Sequence, residues 1–247
     1  MPVFLFLTSL SILVQQGERE CLFFNDGQGP VVGINNSDFD LGNIEATCVK
    51  FERDLGITSI EWTGVYRIPA PVNEPGAPPK VDDFVVEIRA DDSGLPGELL
   101  QSNKVGGAVD RTDTGVDLFG GDLYSYMAEL NFKVSQNQSI WFVVYNNTTG
   151  AEVGFFLGTT GAGNSANSSD LGVNWLEGIS NIDLRIYSTD EVLLGDVNLD
   201  GDVNLLDVAP FVDRVMSGQY QVEANPNKDN FVNLLDVDLF VSLLVGE

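Results

Sequence analysis

Alternation of apolar and polar residues marks much of the chain between about residues 20 and 190. Tyr124, Tyr126 and Leu130 belong to a row spaced two apart within residues 123–134, the spacing of one face of a strand. Similar β-branched and aromatic runs of strand length occupy residues 57–66, 84–90, 140–145, 153–157 and 182–187. This part of the chain is therefore predicted to be built from strands.

The segments between these runs have the composition of turns. Residues 69–79 are rich in proline, residues 91–97 form a turn cluster, and residues 146–150 and 158–169 are polar and glycine-rich. No long amphipathic helix is apparent before residue 200. Strands separated by turns predict a mainly β, antiparallel sandwich, jelly-roll-like in type.

The pattern changes from Leu194 onward, where a polar loop and a helical stretch occur twice, 29 residues apart. Aligning Asp196 with Asn225 superimposes Asn204–Val208 on Asn233–Val237 with every residue identical. The helices are predicted at residues 205–217 and 234–245. We expect a small C-terminal α domain made of two loop–helix repeats.

The first of these loops has the ligand spacing of a calcium site, because a tight loop can point alternate oxygen-bearing residues at one ion. Gly201 at position 6 supplies the sharp turn, and Val203 is predicted to pair with Val232 between the loops. The alternative is an ordinary acidic turn before a helix. The predicted calcium ligands at positions 1, 3, 5, 7, 9 and 12 are Asp196, Asn198, Asp200, Asp202, Asn204 and Asp207.

The second loop is a weaker version of the first. Asn225 replaces the acid at position 1, Asn230 replaces the glycine, and Lys228 adds a positive charge. Fewer carboxylates predict weaker calcium binding, and a role in packing is the alternative. Its ligands at the same six positions are predicted to be Asn225, Asn227, Asp229, Phe231, Asn233 and Asp236.

On these residues the segment 194–247 resembles a dockerin, a module of two calcium-loop-plus-helix repeats. The resemblance implies a cohesin-like protein partner and a place in polysaccharide degradation on a bacterial surface. Many dockerins have polar pairs at loop positions 10 and 11, where this chain has Leu205-Leu206 and Leu234-Leu235. This departure leaves a purely intramolecular role open. Residues 81–100 also loosely resemble a stretch of secreted, dockerin-bearing bacterial proteins.

Charge and histidine content narrow the function further. The chain has 12 basic and 37 acidic residues, a net charge of −25, and no histidine. Such a surface repels nucleic acid, so no nucleic-acid partner is expected. The lack of histidine excludes Ser–His–Asp and Cys–His catalysis and histidine-ligated zinc.

The N-terminus suggests export. The apolar run at residues 3–14 is too short to span a bilayer and suits a signal peptide, although it could instead be a buried first strand.

We therefore predict a signal peptide (1–19), a sandwich domain (20–189) and a calcium-binding domain (190–247), in an extracellular or cell-surface protein. No integral membrane span is expected in the mature protein. Whether Cys21 and Cys48 pair stays open.

Three functions are compatible with the β region. It could bind polysaccharide, it could cleave glycosidic bonds with a carboxylate pair, or it could be a structural or adhesive surface protein. A binding role without catalysis is the leading hypothesis. The aromatic candidates for sugar contact are Trp62, Tyr66, Trp141, Tyr145 and Trp175. The carboxylates considered for catalysis, none in a known motif, are Asp82, Asp83, Asp91, Asp92, Glu98 and Glu152.

Overall fold

A computed structural model describes most of the chain from residue 20 onward. The predicted signal peptide and the side chains of residues 20–24 lie outside the described part. The fold is mostly antiparallel β-sheet, followed by two short helices near the C-terminus. The described residues are 20–24, 31, 33–69, 71–107, 109–147, 153–160, 164–178, 180–188, 192–229 and 231–246.

Thirteen strands lie within the described residues up to residue 188, which we call the β region. They are β1 (Glu20–Phe24), β2 (Gly33–Asn36), β3 (Ile44–Lys50), β4 (Leu55–Arg67), β5 (Phe84–Asp92), β6 (Leu95–Gly106), β7 (Asp110–Leu118), β8 (Gly121–Val134), β9 (Ser139–Asn146), β10 (Gly154–Thr159), β11 (Ser165–Ser168), β12 (Leu176–Glu177) and β13 (Leu184–Ser188).

The strands form two antiparallel sheets. In the first sheet, β4 pairs with β13 and then β10 along one edge and with β8 along the other, and β1, β2 and β7 extend it. The second sheet has the order β12-β11-β3-β9-β5-β6. Side chains from both sheets meet in one core, for example Ile60 and Trp62 from β4 with Ile88 from β5 and Phe142 from β9. Two sheets around a shared core fit a sandwich.

From Ile44 to Cys48, strand β3 reverses the usual orientation of polar and apolar side chains. Glu45 and Thr47 lie opposite Val144 and Phe142 of the shared core, so they face inward. The neighbouring apolar residues therefore face outward, where they join the outer cluster of the second sheet. That cluster consists of Ile44, Ala46, Trp141, Val143 and Ala166, with Cys48, Tyr145 and Trp175 packed against it.

All six strands predicted from the sequence are present, at β4, β5, β8, β9, β10 and β13. The turn cluster at residues 91–97 is shorter than predicted. Strands β5 and β6 extend into it and leave Ser93 and Gly94, both with positive φ, as the hairpin turn. Within the described residues no helix precedes residue 205, and none is long and apolar enough to cross a membrane.

The C-terminal region, residues 192–246, contains the two helices. A 3-10 turn at Leu205–Asp207 leads into α1 (Val208–Ser217), and one at Leu234–Asp236 leads into α2 (Val237–Val245). Phe211 and Phe240 stack with ring centroids 3.8 Å apart, in a small core of their own. Its buried members are Val197, Phe211, Ala224, Val232 and Phe240. The helix bounds agree with the sequence prediction.

Candidate metal centre

The 3-10 turn that leads into each helix of the C-terminal region begins at a reciprocal cap. The Asn204 side chain accepts from the Leu206 amide at 2.8 Å, while the Asp207 carboxylate accepts from the Asn204 amide at 2.8 Å. Asn233 and Asp236 repeat this arrangement at the second helix. These caps satisfy amides that a helix leaves unpaired, and they fix the acid of loop position 12 beneath the loop.

The first loop, Asp196–Asp207, folds around its own carboxylates. Asp196 accepts from the amides of Asp200 and Gly201 at 3.0 and 2.9 Å. From the opposite end of the loop, Asp207 accepts from the Asn198 amide at 2.9 Å. Asp196 and Asp207 are both buried, and Asp200 is exposed. These bonds join positions 1, 3, 5 and 12 through backbone amides, and among the described residues no three acidic side chains are grouped closely enough to hold a metal ion.

The second loop, Asn225–Asp236, repeats most of these bonds. Its Asp236 accepts from the amides of Asn227 and Asn233 at 3.4 and 2.9 Å. The Asp229 amide donates to Asn227 Oδ1 at 3.0 Å, as the Asp200 amide donates to Asn198 Oδ1 in the first loop. The repeat seen in the sequence is thus also a repeat of hydrogen bonds.

The backbone repeats as well. Leu199 and Lys228 stand at position 4 of the two loops, and their φ angles are 61° and 58°. A positive φ is unusual for side chains of this size, so finding it twice in register indicates that the loop imposes it. Gly201 has a φ of 93° at position 6. Its counterpart Asn230 lies outside the described residues.

The loops differ at position 1. Asn225 is 2% exposed, and its Oδ1 atom is buried without a hydrogen-bond partner. Its Nδ2 atom lies 3.5 Å from the Tyr220 hydroxyl. A buried amide oxygen without a partner costs stability unless something else binds it. The first loop avoids this cost because Asp196 accepts the two backbone amides.

Calcium fits the donor set of both loops. It prefers carboxylate, amide and backbone oxygens, which are the groups present at the six predicted positions of each loop. In this reading Asp202 and Phe231 at position 7 contribute backbone carbonyls, and Asn225 Oδ1 gains the partner it lacks. The first loop has four carboxylates, and the second has Asp229 and Asp236 with Lys228 between the ligands.

The predicted strand contact between Val203 and Val232 is wrong. Neither residue belongs to a strand or a β-bridge. Val232 is instead buried in the small C-terminal core. Val203 packs over Gly195, where an added Cβ would lie 2.8 Å from its Cγ1 atom. The two loops are thus joined through side-chain packing.

Ion pairs between the two regions were missed by sequence reasoning. Arg53 Nη1 lies 2.8 Å from Glu223 Oε1, and Arg214 forms an ion pair with Glu52 at 2.8 Å. Burial raises the pKa of Glu223, Arg53 opposes that rise, and the negative charge of Asp196 adds to it. Nothing in the sequence indicates that these distant residues meet.

Three of the five aromatic candidates are buried. Trp62 and Tyr66 lie in the core between the sheets, and Trp141 lies within the outer cluster. Tyr145 and Trp175 are partly exposed beside that cluster. Of the five, these two are therefore the ones placed where a ligand could reach them.

Polar groups accompany the two partly exposed aromatic residues. The Arg89 guanidinium lies 5.6 Å from the centroid of the Trp175 ring, and Arg89 forms an ion pair with Glu87 at 2.8 Å. The Tyr145 hydroxyl lies 3.3 Å from Glu87. Aromatic side chains next to a few polar groups are a combination that small-molecule sites use.

Two carboxylates considered for catalysis have structural contacts. Asp82 accepts from the Tyr66 hydroxyl at 2.5 Å and pairs with Arg111 at 3.1 Å. Asp91 accepts from the Trp141 indole at 2.8 Å. Both bonds hold neighbouring elements together. Of the remaining candidates, Asp83, Asp92 and Glu98 have described positions, and Glu152 lies outside the described residues.

Glu45 and Cys48 are two further chemical groups on β3. Burial raises the pKa of Glu45 to about 8, opposed by a hydrogen bond with Asn35. Cys48 is a free cysteine, and burial raises the pKa of its thiol to about 11. A thiol with such a pKa is a poor nucleophile at neutral pH. The side chain of Cys21 lies outside the described part.

Comparison with known proteins identifies no family. No family model matches the chain, and no curated protein matches it significantly.

Proposed function

We propose that this chain is a secreted, non-catalytic calcium-binding protein that docks a β-sandwich to a protein partner. In this proposal the C-terminal region is dockerin-like and binds calcium in both loops, more tightly in the first. The β region is a jelly-roll-like sandwich that binds polysaccharide. The partner is cohesin-like, and the assembly acts in polysaccharide degradation or at the cell surface.

One observation carries the calcium part of the proposal. Two loops 29 residues apart have matching hydrogen bonds, and the second leaves the buried Oδ1 of Asn225 without a partner. An ordinary acidic turn does not need the same strained backbone at Leu199 and Lys228. Bound calcium would explain both the unpartnered oxygen and the strained backbone.

The docking part is supported by the exposed leucine pairs, Leu205-Leu206 and Leu234-Leu235. Their side chains are 82%, 67%, 79% and 71% exposed, although each pair follows a well-formed cap. Apolar residues exposed to this extent at matching positions favour a partner that covers them. Replacement of polar contact residues by leucine indicates that this partner presents an apolar surface.

Calcium binding is tested by thermal unfolding of the full-length protein in calcium and in chelator. A ligand bound by the folded state raises the unfolding temperature. Asp200→Ala should remove most of this stabilisation, and Asp229→Ala a smaller part. Asp213→Ala, which changes an exposed acid on α1, is the control and should behave as wild type. Equal unfolding temperatures of the wild type in calcium and chelator would refute the proposal.

Docking is tested with purified cohesin modules immobilised on a surface. The wild type should be retained in calcium and released by chelator. Changing Leu205 and Leu234 to Asp should abolish retention, whereas Val173→Asp, at a 78% exposed position of the β region, should not. Retention that is insensitive to the leucine changes would show that another surface is used.

Sugar binding is tested by incubating the protein with a panel of insoluble polysaccharides. Retention without release of reducing sugar would support a binding role, and Trp175→Ala should weaken that retention. Release of reducing sugar would instead favour the catalytic alternative. Neither retention nor release would favour a structural or adhesive role for the β region.

A further inference from the structure

Two ion pairs join the turn between β3 and β4 to the C-terminal region. Arg214, in the last turn of α1, donates from Nη2 to both carboxylate oxygens of Glu52 at 2.8 Å. The next residue, Arg53, has its Nη1 atom 2.8 Å from Oε1 of Glu223. Glu52 pairs with a positive side chain of the C-terminal region, and its neighbour Arg53 pairs with a negative one. The contact therefore selects one orientation of the two regions. We call these four residues the clasp.

The clasp is directly connected to the first calcium loop. The Glu223 side chain is 4% exposed, and its backbone carbonyl accepts from the amide of Gly195, the residue before Asp196. Two residues earlier, Gln221 donates from its buried Nε2 atom to the Val197 carbonyl at 3.0 Å. The connector that holds Glu223 against Arg53 therefore also holds the first turn of the loop.

Electrostatics link the same groups. The Arg53 guanidinium lies 2.8 Å from the Glu223 carboxylate, and Asp196 follows Gly195, whose amide donates to the Glu223 carbonyl, so a positive and a negative charge both lie close to Glu223. A calcium ion at Asp196 would offset the repulsion and leave the attraction by Arg53. It would also fix residues 195–197, to which the connector is hydrogen-bonded. Both effects favour the arrangement in which Glu223 is paired with Arg53.

We propose that calcium binding in the first loop strengthens the clasp, so that the metal fixes how the docking surface is oriented relative to the β-sheets. This inference rests on the proposed function, because it requires calcium in that loop. Coupling between two sites is reciprocal in free energy. A change that breaks the clasp must therefore weaken calcium binding, even when it lies on the β region and touches no calcium ligand.

Charge reversals in the full-length protein test this coupling. Glu52→Arg and Arg214→Glu each break the same ion pair, but they change the net charge in opposite directions. The double variant restores the pair with its polarity exchanged. Lys50→Glu, in the same part of the β region but outside both ion pairs, is the control. Calorimetric titration with calcium gives the affinity of the tighter site for each protein.

We expect each single reversal to weaken the tighter site about five-fold, the lower end of typical coupling. The double variant should return to within about two-fold of wild type, and Lys50→Glu should stay there. Small-angle scattering gives a second measurement. Calcium should reduce the radius of gyration of the wild type and the double variant more than that of either single variant.

Two results would overturn the inference while the proposed function stands. One is equal calcium affinity in all the proteins, and the other is an opposite shift for the two single reversals, as net charge alone would produce. A wild type that binds no calcium would overturn the proposed function and this inference together.

Discussion

The two C-terminal loops have nearly the same hydrogen bonds but different ligands. In the first, the carboxylate of Asp196 accepts two backbone amides; in the second, Asn225 leaves its Oδ1 atom buried and without a partner. The caps at Asp207 and Asp236 are alike. Loop shape therefore depends mainly on position 12 and the caps, whereas the charge available to a cation depends on position 1 and its neighbours.

The largest expected effect comes from position 12 of the first loop. Asp207→Asn removes one of four carboxylates and can no longer accept from both Asn198 and Asn204. We expect calcium affinity of the first loop to fall about 100-fold, or about 2.7 kcal/mol. Calorimetric titration measures it. Asp236→Asn is the matched variant and should leave the tighter site unchanged; weakening of that site by both would mean that the loops act as one unit.

The second prediction makes the loops more alike. Asn225→Asp supplies the missing carboxylate at position 1 of the second loop, whose Oδ1 position is already buried. We expect calcium affinity of this loop to rise about ten-fold, because affinity follows the number of charged ligands. Without calcium the variant should be less stable than wild type, since it buries a charge. The reverse change, Asp196→Asn, should weaken calcium binding by the first loop. Unchanged calcium affinity in both variants would refute the role given to position 1.

The third prediction concerns Glu45 in the β region, whose effect on stability depends on pH and not on the calcium loops. Burial raises the pKa of Glu45 to about 8, against an ordinary value of 4.5. Stability from this group is fully present below pH 4.5, and it falls from there to pH 8 because the unfolded chain loses its proton first. Raising the pH from 5 to 6 should cost about 1 kcal/mol, or roughly 2–4 °C in unfolding temperature.

Glu45→Gln checks this assignment. The variant should lose that pH dependence of unfolding while keeping the full response to calcium. The calcium response of the loops is thereby separated from the pH response of the sheets. A variant with the wild-type pH profile would show that another group is responsible.

The smallest expected effect comes from position 4, where both loops have a positive φ. Lys228→Leu removes a positive charge from the second loop, and Leu199→Lys adds one to the first. We expect calcium affinity to rise about three-fold in the second loop and to fall about three-fold in the first, since these side chains are partly solvated. Both shifts should shrink in high salt. Shifts that persist in high salt would indicate a backbone effect instead.

Strong local patterns made much of the fold predictable. Apolar residues two apart located β8, and repeated Asn-Leu-Leu-Asp sequences located the start of both helices. The weaker strands were missed because their sequences look like loops. β7 is a mostly polar strand exposed to solvent, β6 contains Pro96, Gly97 and the polar run Gln101–Lys104, and β11 is Ser-Ala-Asn-Ser. Pairing with a neighbour, which no local pattern reveals, makes them strands.

Strand β3 and the clasp show a second reason why parts of the fold could not be predicted from the sequence. In β3 the polar residues Glu45 and Thr47 face inward because the outer face of the sheet has its own apolar cluster, so a rule that buries every apolar row misleads. Arg53 and Glu223 are 170 positions apart in the chain, and only the folded structure joins them. Within the loops, spacing predicted the ligand positions, while the unpartnered oxygen of Asn225 required the structure.

The most direct test of calcium binding is diffraction from crystals grown in calcium, recorded at a wavelength where calcium scatters anomalously. We predict a strong anomalous peak in the first loop, within about 2.3–2.6 Å of oxygens of Asp196, Asn198, Asp200 and Asp207. We predict a weaker peak in the second loop beside Asn225 Oδ1. Well-ordered loops that contain only water at saturating calcium would contradict both predictions.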